Sequence, residues 1–216
     1  MCCRWSTAGW AMRSNMAASG RMPFMNFDDK ERAAGKTRGE PNRWLPAERL
    51  GQLAMDSHVR PWLIGKGLLT VRLKTASGDR FALRVVDQWT GILSADHRSA
   101  LRSTDDAGLF RDVEMFGGEQ VWVFAQTVMP DSTLVAHPWL AELGESPLGE
   151  TLAGLSGVER SSYEYAWLTV DQPVTARALR AAEVKPPGLW ARRSRVAVRG
   201  APLLIQEVFL PAVGRT

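Results

Sequence analysis

Two charged residues occupy positions that strand alternation assigns to the interior. Side chains along a strand alternate between faces with a period of two. In Leu109-Phe110-Arg111-Asp112-Val113-Glu114-Met115, Arg111 therefore shares a face with Leu109, Val113 and Met115, while Asp112 and Glu114 point the other way. In the last apolar segment Leu203, Ile205, Glu207 and Phe209 share a face, and Glu207 is its sole polar member. A buried charge without a partner is strongly unfavourable, so each needs one. Three arrangements meet that need. The two residues pair with each other, or a bulge turns one outward, or both line a pocket. In the pocket, the arginine fork grips a carboxylate and the glutamate meets a polar group at the far end of the ligand.

Other chemistry-bearing residues are less informative. Arg192, Arg193 and Arg195 can hold a second carboxylate or form an ion-paired strand end. Gly65-Lys66-Gly67 lacks the later glycine and preceding strand of a dinucleotide fingerprint. Gly154-Leu155-Ser156-Gly157 has its second glycine too early for a nucleophile elbow. His58, His97 and His137 have no sequence partners and read as surface residues, and Trp44, Trp62, Trp122 and Trp190 read as core.

The elements that must position Arg111 and Glu207 are mostly strands. Alternation predicts a hairpin of residues 68–75 and 80–86, with Leu69, Val71 and Leu73 on one face. A second hairpin runs 109–116 and 121–129 across Gly117-Gly118-Glu119, and a third 195–199 and 203–210 across Gly200-Ala201-Pro202. A further strand is expected at 163–170. Helical spacing occurs at 46–56, 138–143, 149–155 and 174–184. Hairpin-joined strands with a few helices predict an α+β domain, an antiparallel sheet whose helices cover one face and enclose a ligand pocket.

Composition bounds the rest. With 45% hydrophobic residues in 216, one domain can bury its own core. The adjacent Cys2 and Cys3 cannot staple it, no Cys/His cluster has zinc spacing, and a reducing cytoplasm is the expected setting. The net charge of +4 is modest, and the acid-free residues 1–27 carry Arg4, Arg13 and Arg21, so a small anionic ligand is expected rather than nucleic acid. No apolar run is long enough for a transmembrane helix, so no stable membrane insertion is expected. Residues 1–43 read as a disordered tail preceding a domain at 44–216. Five of the eight methionines fall in residues 1–25, which suggests a start at Met25 more than targeting.

Ordered blocks along the domain resemble the chorismate pyruvate-lyase family. They include Leu68-Leu69-Thr70-Val71-Arg72-Leu73, Phe110-Arg111-Asp112-Val113, and Trp122-Val123-Phe124-Ala125-Gln126-Thr127-Val128-Met129-Pro130. Pro147-Leu148-Gly149, Leu189-Trp190-Ala191-Arg192-Arg193-Ser194-Arg195 and Glu207-Val208-Phe209-Leu210-Pro211 follow in family order. The resemblance implies a monomeric, cofactor-free and metal-free enzyme that splits chorismate into 4-hydroxybenzoate and pyruvate, the entry step to ubiquinone. It implies that Arg111 holds the ring carboxylate, that Glu207 meets the 4-hydroxyl, and that backbone groups at Leu69 and Leu148 complete the contacts. The chain departs from the family at Gln126, where an arginine is common, in a long 151–187 connection, and in residues 1–43. The same fold also serves non-catalytically as the effector-binding half of bacterial transcription regulators, which is the alternative reading.

Overall fold

The computed structural model describes residues 39–180 and 185–215. Eight strands form one antiparallel sheet: β1 (Leu45–Pro46), β2 (Phe81–Ile92), β3 (Ala107–Gly117), β4 (Gln120–Pro130), β5 (Val158–Arg160), β6 (Glu164–Thr169), β7 (Gly188–Val198) and β8 (Ala201–Phe209). Their order is β1-β6-β7-β8-β4-β3-β2, and β5 pairs with the far end of β7. The helices are α1 (Arg60–Ile64), α2 (Leu69–Ser77), α3 (Ala95–Leu101), α4 (Asp131–Ala136), α5 (Leu148–Ala153) and α6 (Pro173–Ala178). The α+β class with an antiparallel sheet agrees with the expectation.

The β3–β4 and β7–β8 hairpins form as the alternation predicts. Each closes in two residues that include a glycine in the left-handed region, Gly118 (φ 71°) and Gly200 (φ 89°), a conformation with little cost only without a Cβ. The second turn sits one residue earlier than expected, at Arg199-Gly200, so that Ala201 already belongs to β8.

Residues 68–75 are not a strand. They fold into α2, and β2 pairs with β3 instead. Leu69 and Leu73 are four residues apart, a separation that puts them on one face of a strand and also of a helix, so a short segment of this pattern satisfies both periods. Burial decides for the helix: Leu69, Thr70, Leu73 and Ser77 are covered while Val71 is exposed. Residues 46–56 shorten to a 3-10 turn, Ala47–Gln52, that still buries Leu50. The helix expected at 174–184 ends at Ala178, and residues 181–184 lie outside those described. Of the expected tail, residues 1–38 likewise lie outside. Asn42, within it, is tied to β6, donating from its backbone N to Trp167 O and accepting from Thr169 N at 2.9 Å each.

Helices α1, α2 and α5 cover one sheet face. There Leu63, Leu69 and Leu73 pack on Val113, Met115 and Phe209, and Leu148 and Leu152 on Ile205 and Val196. The other face is also covered in part. Leu101 of α3 packs on Phe110, Val128 and Leu204, and Val174 and Ala178 of α6 on Phe124 and Val208. That second cover explains why Asp112, on the face opposite Arg111, is fully buried. Trp122 and Trp190 are core as expected, and Trp44 and Trp62 pack against it.

Candidate functional site

The paired strands lay the side chains of the helix-covered face on a grid. Arg111, Thr127, Ile205 and Ser194 form one cross-strand row through β3, β4, β8 and β7. Val113, Ala125, Glu207 and Arg192 form the next. A cavity of about 330 Å³ opens over the grid, floored by Arg111, Thr127, Val113, Ala125 and Glu207. Its roof comes from two helix starts, Leu68-Leu69-Thr70 at α2 and Pro147-Leu148-Gly149 at α5, and Arg160 and Tyr163 line its side. Most of its wall is apolar. All four residues singled out by the sequence, Arg111, Glu207, Leu69 and Leu148, therefore border one cavity.

Arg111 and Glu207 do not pair. They lie two strands apart and two residues along, a Cα separation of about 12 Å. The salt bridge weighed in the sequence is absent because the grid sets them on a diagonal rather than opposite each other. Arg111 is 2% exposed, and among the described residues it forms no ion pair. Its Nη2 donates to Gly144 O (2.7 Å) and more weakly to Ser146 O (3.3 Å), and its Nε has no acceptor. Gly144, at φ 52°, belongs to the turn that directs those carbonyls inward. Burial lowers the Arg111 pKa from the ordinary arginine value, with no anion to offset it. A ligand carboxylate would supply the missing charge.

Glu207 takes Arg192, its cross-strand neighbour, which donates from Nε to Oε2 at 2.5 Å. Arg192 is 1% exposed, and its Nη1 also donates to Leu63 O (3.1 Å) at the end of α1. Its guanidinium stacks 4.5 Å from the Tyr163 ring. Burial alone would lower the Arg192 pKa, but the Glu207 carboxylate outweighs it and holds the group above its ordinary value. The sequence offers Arg192 either as a second-carboxylate ligand or as part of an ion-paired strand end, and an ion pair is what it forms. Its parity with Trp190 and Val196 on β7 carried the signal that it faces inward.

Leu69 and Leu148 open their helices. The first N–H groups of a helix have no acceptor within it, so both backbones bring free donors to the cavity wall. Leu68 before α2 is extended (φ −72°, ψ 124°), which turns the chain over the grid.

The remaining candidates lie elsewhere. On the opposite face, Asp112, Gln126, Gln206, Arg193 and Glu164 form a polar row across five strands, buried except at the half-exposed Glu164. Gln126 donates to Asp112 (2.9 Å), and Arg193 bonds Glu164 (2.8 Å) and Asp96 (2.7 Å). Arg193 is thus ion-paired rather than free for a ligand. Arg177 of α6 also donates to Asp112 and to Asp87 (2.9 Å), so the charge that Gln126 cannot supply arrives from a helix. Burial raises the Asp112 pKa in spite of these donors. The histidines, expected at the surface, are half-buried: His97 caps α3, and His137 Nε2 lies 2.9 Å from Val198 O. None lines the cavity. Among the described residues no cluster of His, Cys, Asp and Glu could hold a metal, and no helix is long and apolar enough to cross a membrane.

The sequence profile of chorismate lyase matches residues 40–214. A probable chorismate pyruvate-lyase of Thiobacillus denitrificans is 36% identical over 86% of this chain and 96% of its own. One from Methylococcus capsulatus is 38% identical over 70% of this chain and 94% of its own. Among solved structures, the effector domain of PhnF from Mycobacterium smegmatis aligns with TM-score 0.48 and 14% identity, over 69% of this chain and 91% of that one. By profile and by relatives matched over nearly their whole length, the chain belongs to the chorismate lyase family.

Proposed function

We propose that the protein is a chorismate pyruvate-lyase that converts chorismate to 4-hydroxybenzoate and pyruvate, the first committed step of ubiquinone biosynthesis. The observation that carries this is Arg111, a buried guanidinium without a counter-ion among the described residues, at one end of a mostly apolar cavity, with Glu207 on the diagonal at the other. A ring bearing a carboxylate and a hydroxyl on opposite carbons complements that pair. Arg111 binds the carboxylate, Glu207 accepts from the hydroxyl, and the N–H groups of Leu69 and Leu148 donate to the ligand.

In the reaction the C3–O bond breaks, C4 loses its hydrogen, and the ring becomes aromatic. The C4 hydrogen has two destinations. Glu207 takes it as a base while the leaving enol is protonated, or the enolpyruvyl methylene takes it directly in a cyclic six-membered step that yields pyruvate. Arg192 already occupies Oε2 of Glu207, which leaves the other oxygen to hold the hydroxyl and favours the cyclic route. The protein's work is then to fold the enolpyruvyl arm over C4 and keep water out.

Formation of 4-hydroxybenzoate from chorismate, followed spectrophotometrically with purified protein, tests the reading. No product from protein that is folded and still binds 4-hydroxybenzoate would leave a non-catalytic effector-binding domain in its place.

A further inference from the structure

Chorismate carries two carboxylates, and Arg111 accounts for one. We propose that Arg160 binds the second, the enolpyruvyl carboxylate, and thereby separates substrate from product. The inference rests on the chorismate reading above.

Arg160 ends β5 and lines the side of the cavity. Its Nη1 donates to Ser194 Oγ at 2.6 Å, and its guanidinium lies 5.7 Å from the Tyr163 ring. Among the described residues it forms no ion pair, so its charge is available to a ligand. The other arginines of this region have partners within the fold, Arg72 among them, which donates to the Pro61 and Trp62 carbonyls. Arg192 is bonded to Glu207, and Arg193 is ion-paired on the opposite face, which Arg195 shares by alternation.

Position supports the assignment independently. Ser194, which anchors Arg160, lies one strand over and two residues along from Glu207, about 8 Å between Cα atoms. With the ring carboxylate on Arg111, C4 lies at the Glu207 end. The enolpyruvyl ether is on C3, adjacent to C4, so its carboxylate must fall at that same end. The Glu207 carboxylate there already matches the charge of Arg192, so a second carboxylate needs a cation of its own. The product keeps the ring carboxylate and the hydroxyl but has lost the second carboxylate, so it makes no use of Arg160.

The test compares kcat/KM for chorismate with the equilibrium Kd for 4-hydroxybenzoate in the unsubstituted chain, Arg160→Gln and Arg160→Lys. We expect kcat/KM to fall about tenfold or more in Arg160→Gln, the scale of one charge-assisted hydrogen bond. We expect the product Kd to stay within about twofold, and Arg160→Lys to recover part of the loss. An unchanged kcat/KM, or equal losses for both ligands, would overturn the proposal while leaving the lyase reading intact. An unsubstituted chain that neither turns over chorismate nor binds 4-hydroxybenzoate would overturn that reading, and this proposal with it.

Discussion

Glu207 and Arg192 face each other across neighbouring strands, and the carboxylate is held by that arginine rather than by Arg111, which shares its cavity. The pair is buried on both sides, and Arg192 also fastens the end of α1. Removing one partner of a buried ion pair costs about 3–5 kcal/mol, because the other charge is left uncompensated. Arg192→Met should therefore lower unfolding free energy by about that much in urea titrations. A loss below about 1 kcal/mol would mean that the pair contributes little to the fold.

Arg111→Met should behave in the opposite way. It removes a buried cation that has no anion, while leaving the Gly144 and Ser146 carbonyls without their donor, and these effects partly cancel. Stability should change by less than in Arg192→Met. Binding of 4-hydroxybenzoate should weaken by about two orders of magnitude or more, as expected for a desolvated charge pair. Calorimetry of binding and urea denaturation, run on both variants, check the contrast.

Glu207→Gln keeps the shape and a hydrogen-bonding group but cannot act as a base. If the cyclic route operates, kcat should stay within about tenfold of the unsubstituted value, whereas loss of a general base costs about 10²–10⁴. The substitution leaves Arg192 without its anion, so melting curves must show that the comparison is made on folded protein.

Leu69→Pro isolates a backbone donor. Proline is tolerated at the first position of a helix, and the preceding Leu68 already has the extended conformation that proline requires. Leu69→Ala trims the same buried side chain but keeps the N–H. Both variants should lose stability, and only the proline should weaken 4-hydroxybenzoate binding beyond that common loss. Equal affinities in the two would exclude the Leu69 N–H as a ligand contact.

His97 gives the fold a pH dependence. Burial, the largest influence, lowers its pKa below the ordinary histidine value, and Nδ1 accepts the Ser94 N–H at 3.4 Å, which only the unprotonated nitrogen can do. A group whose pKa is lowered in the folded state contributes stability above its unfolded value, about pH 6.5, and loses it as pH falls through the folded one. Between about pH 7.5 and pH 5, the melting temperature should drop more in the unsubstituted chain than in His97→Gln. Parallel profiles would show that His97 does not titrate with unfolding.

The inward placement of Arg111 and Glu207 was legible because strand alternation is a local rule and both hairpins have short turns. What each charge pairs with was not, since it depends on which strands become neighbours. Arg192 reaches Glu207 only through the β7–β8 register, and Arg177 reaches Asp112 from a helix 65 residues away. The segment around Leu69 was misread as a strand because its apolar spacing fits both periods, and only burial separates them. Its place at the cavity survived the error, since the free N–H of a helix start brings a backbone donor to the cavity wall. Arg160 carried no sequence signal, as a charged residue on a short edge strand resembles any solvated one.

The polar row Asp112, Gln126, Gln206, Arg193 and Glu164 bears on how the chain avoids misaligned sheets. A slip of one residue between strands would turn apolar side chains to the wrong face, so the hydrophobic pattern forbids it. A slip of two preserves that pattern and is invisible to it. Such a slip between β4 and β8 would part Gln126 from Gln206, leaving buried polar groups unmatched. It would also carry Glu207 about 7 Å along β8, away from Val113 and Ala125. The polar row on one face thus indexes the cavity-facing grid on the other, and rejects the misfolded sheets that greasy contacts alone would accept.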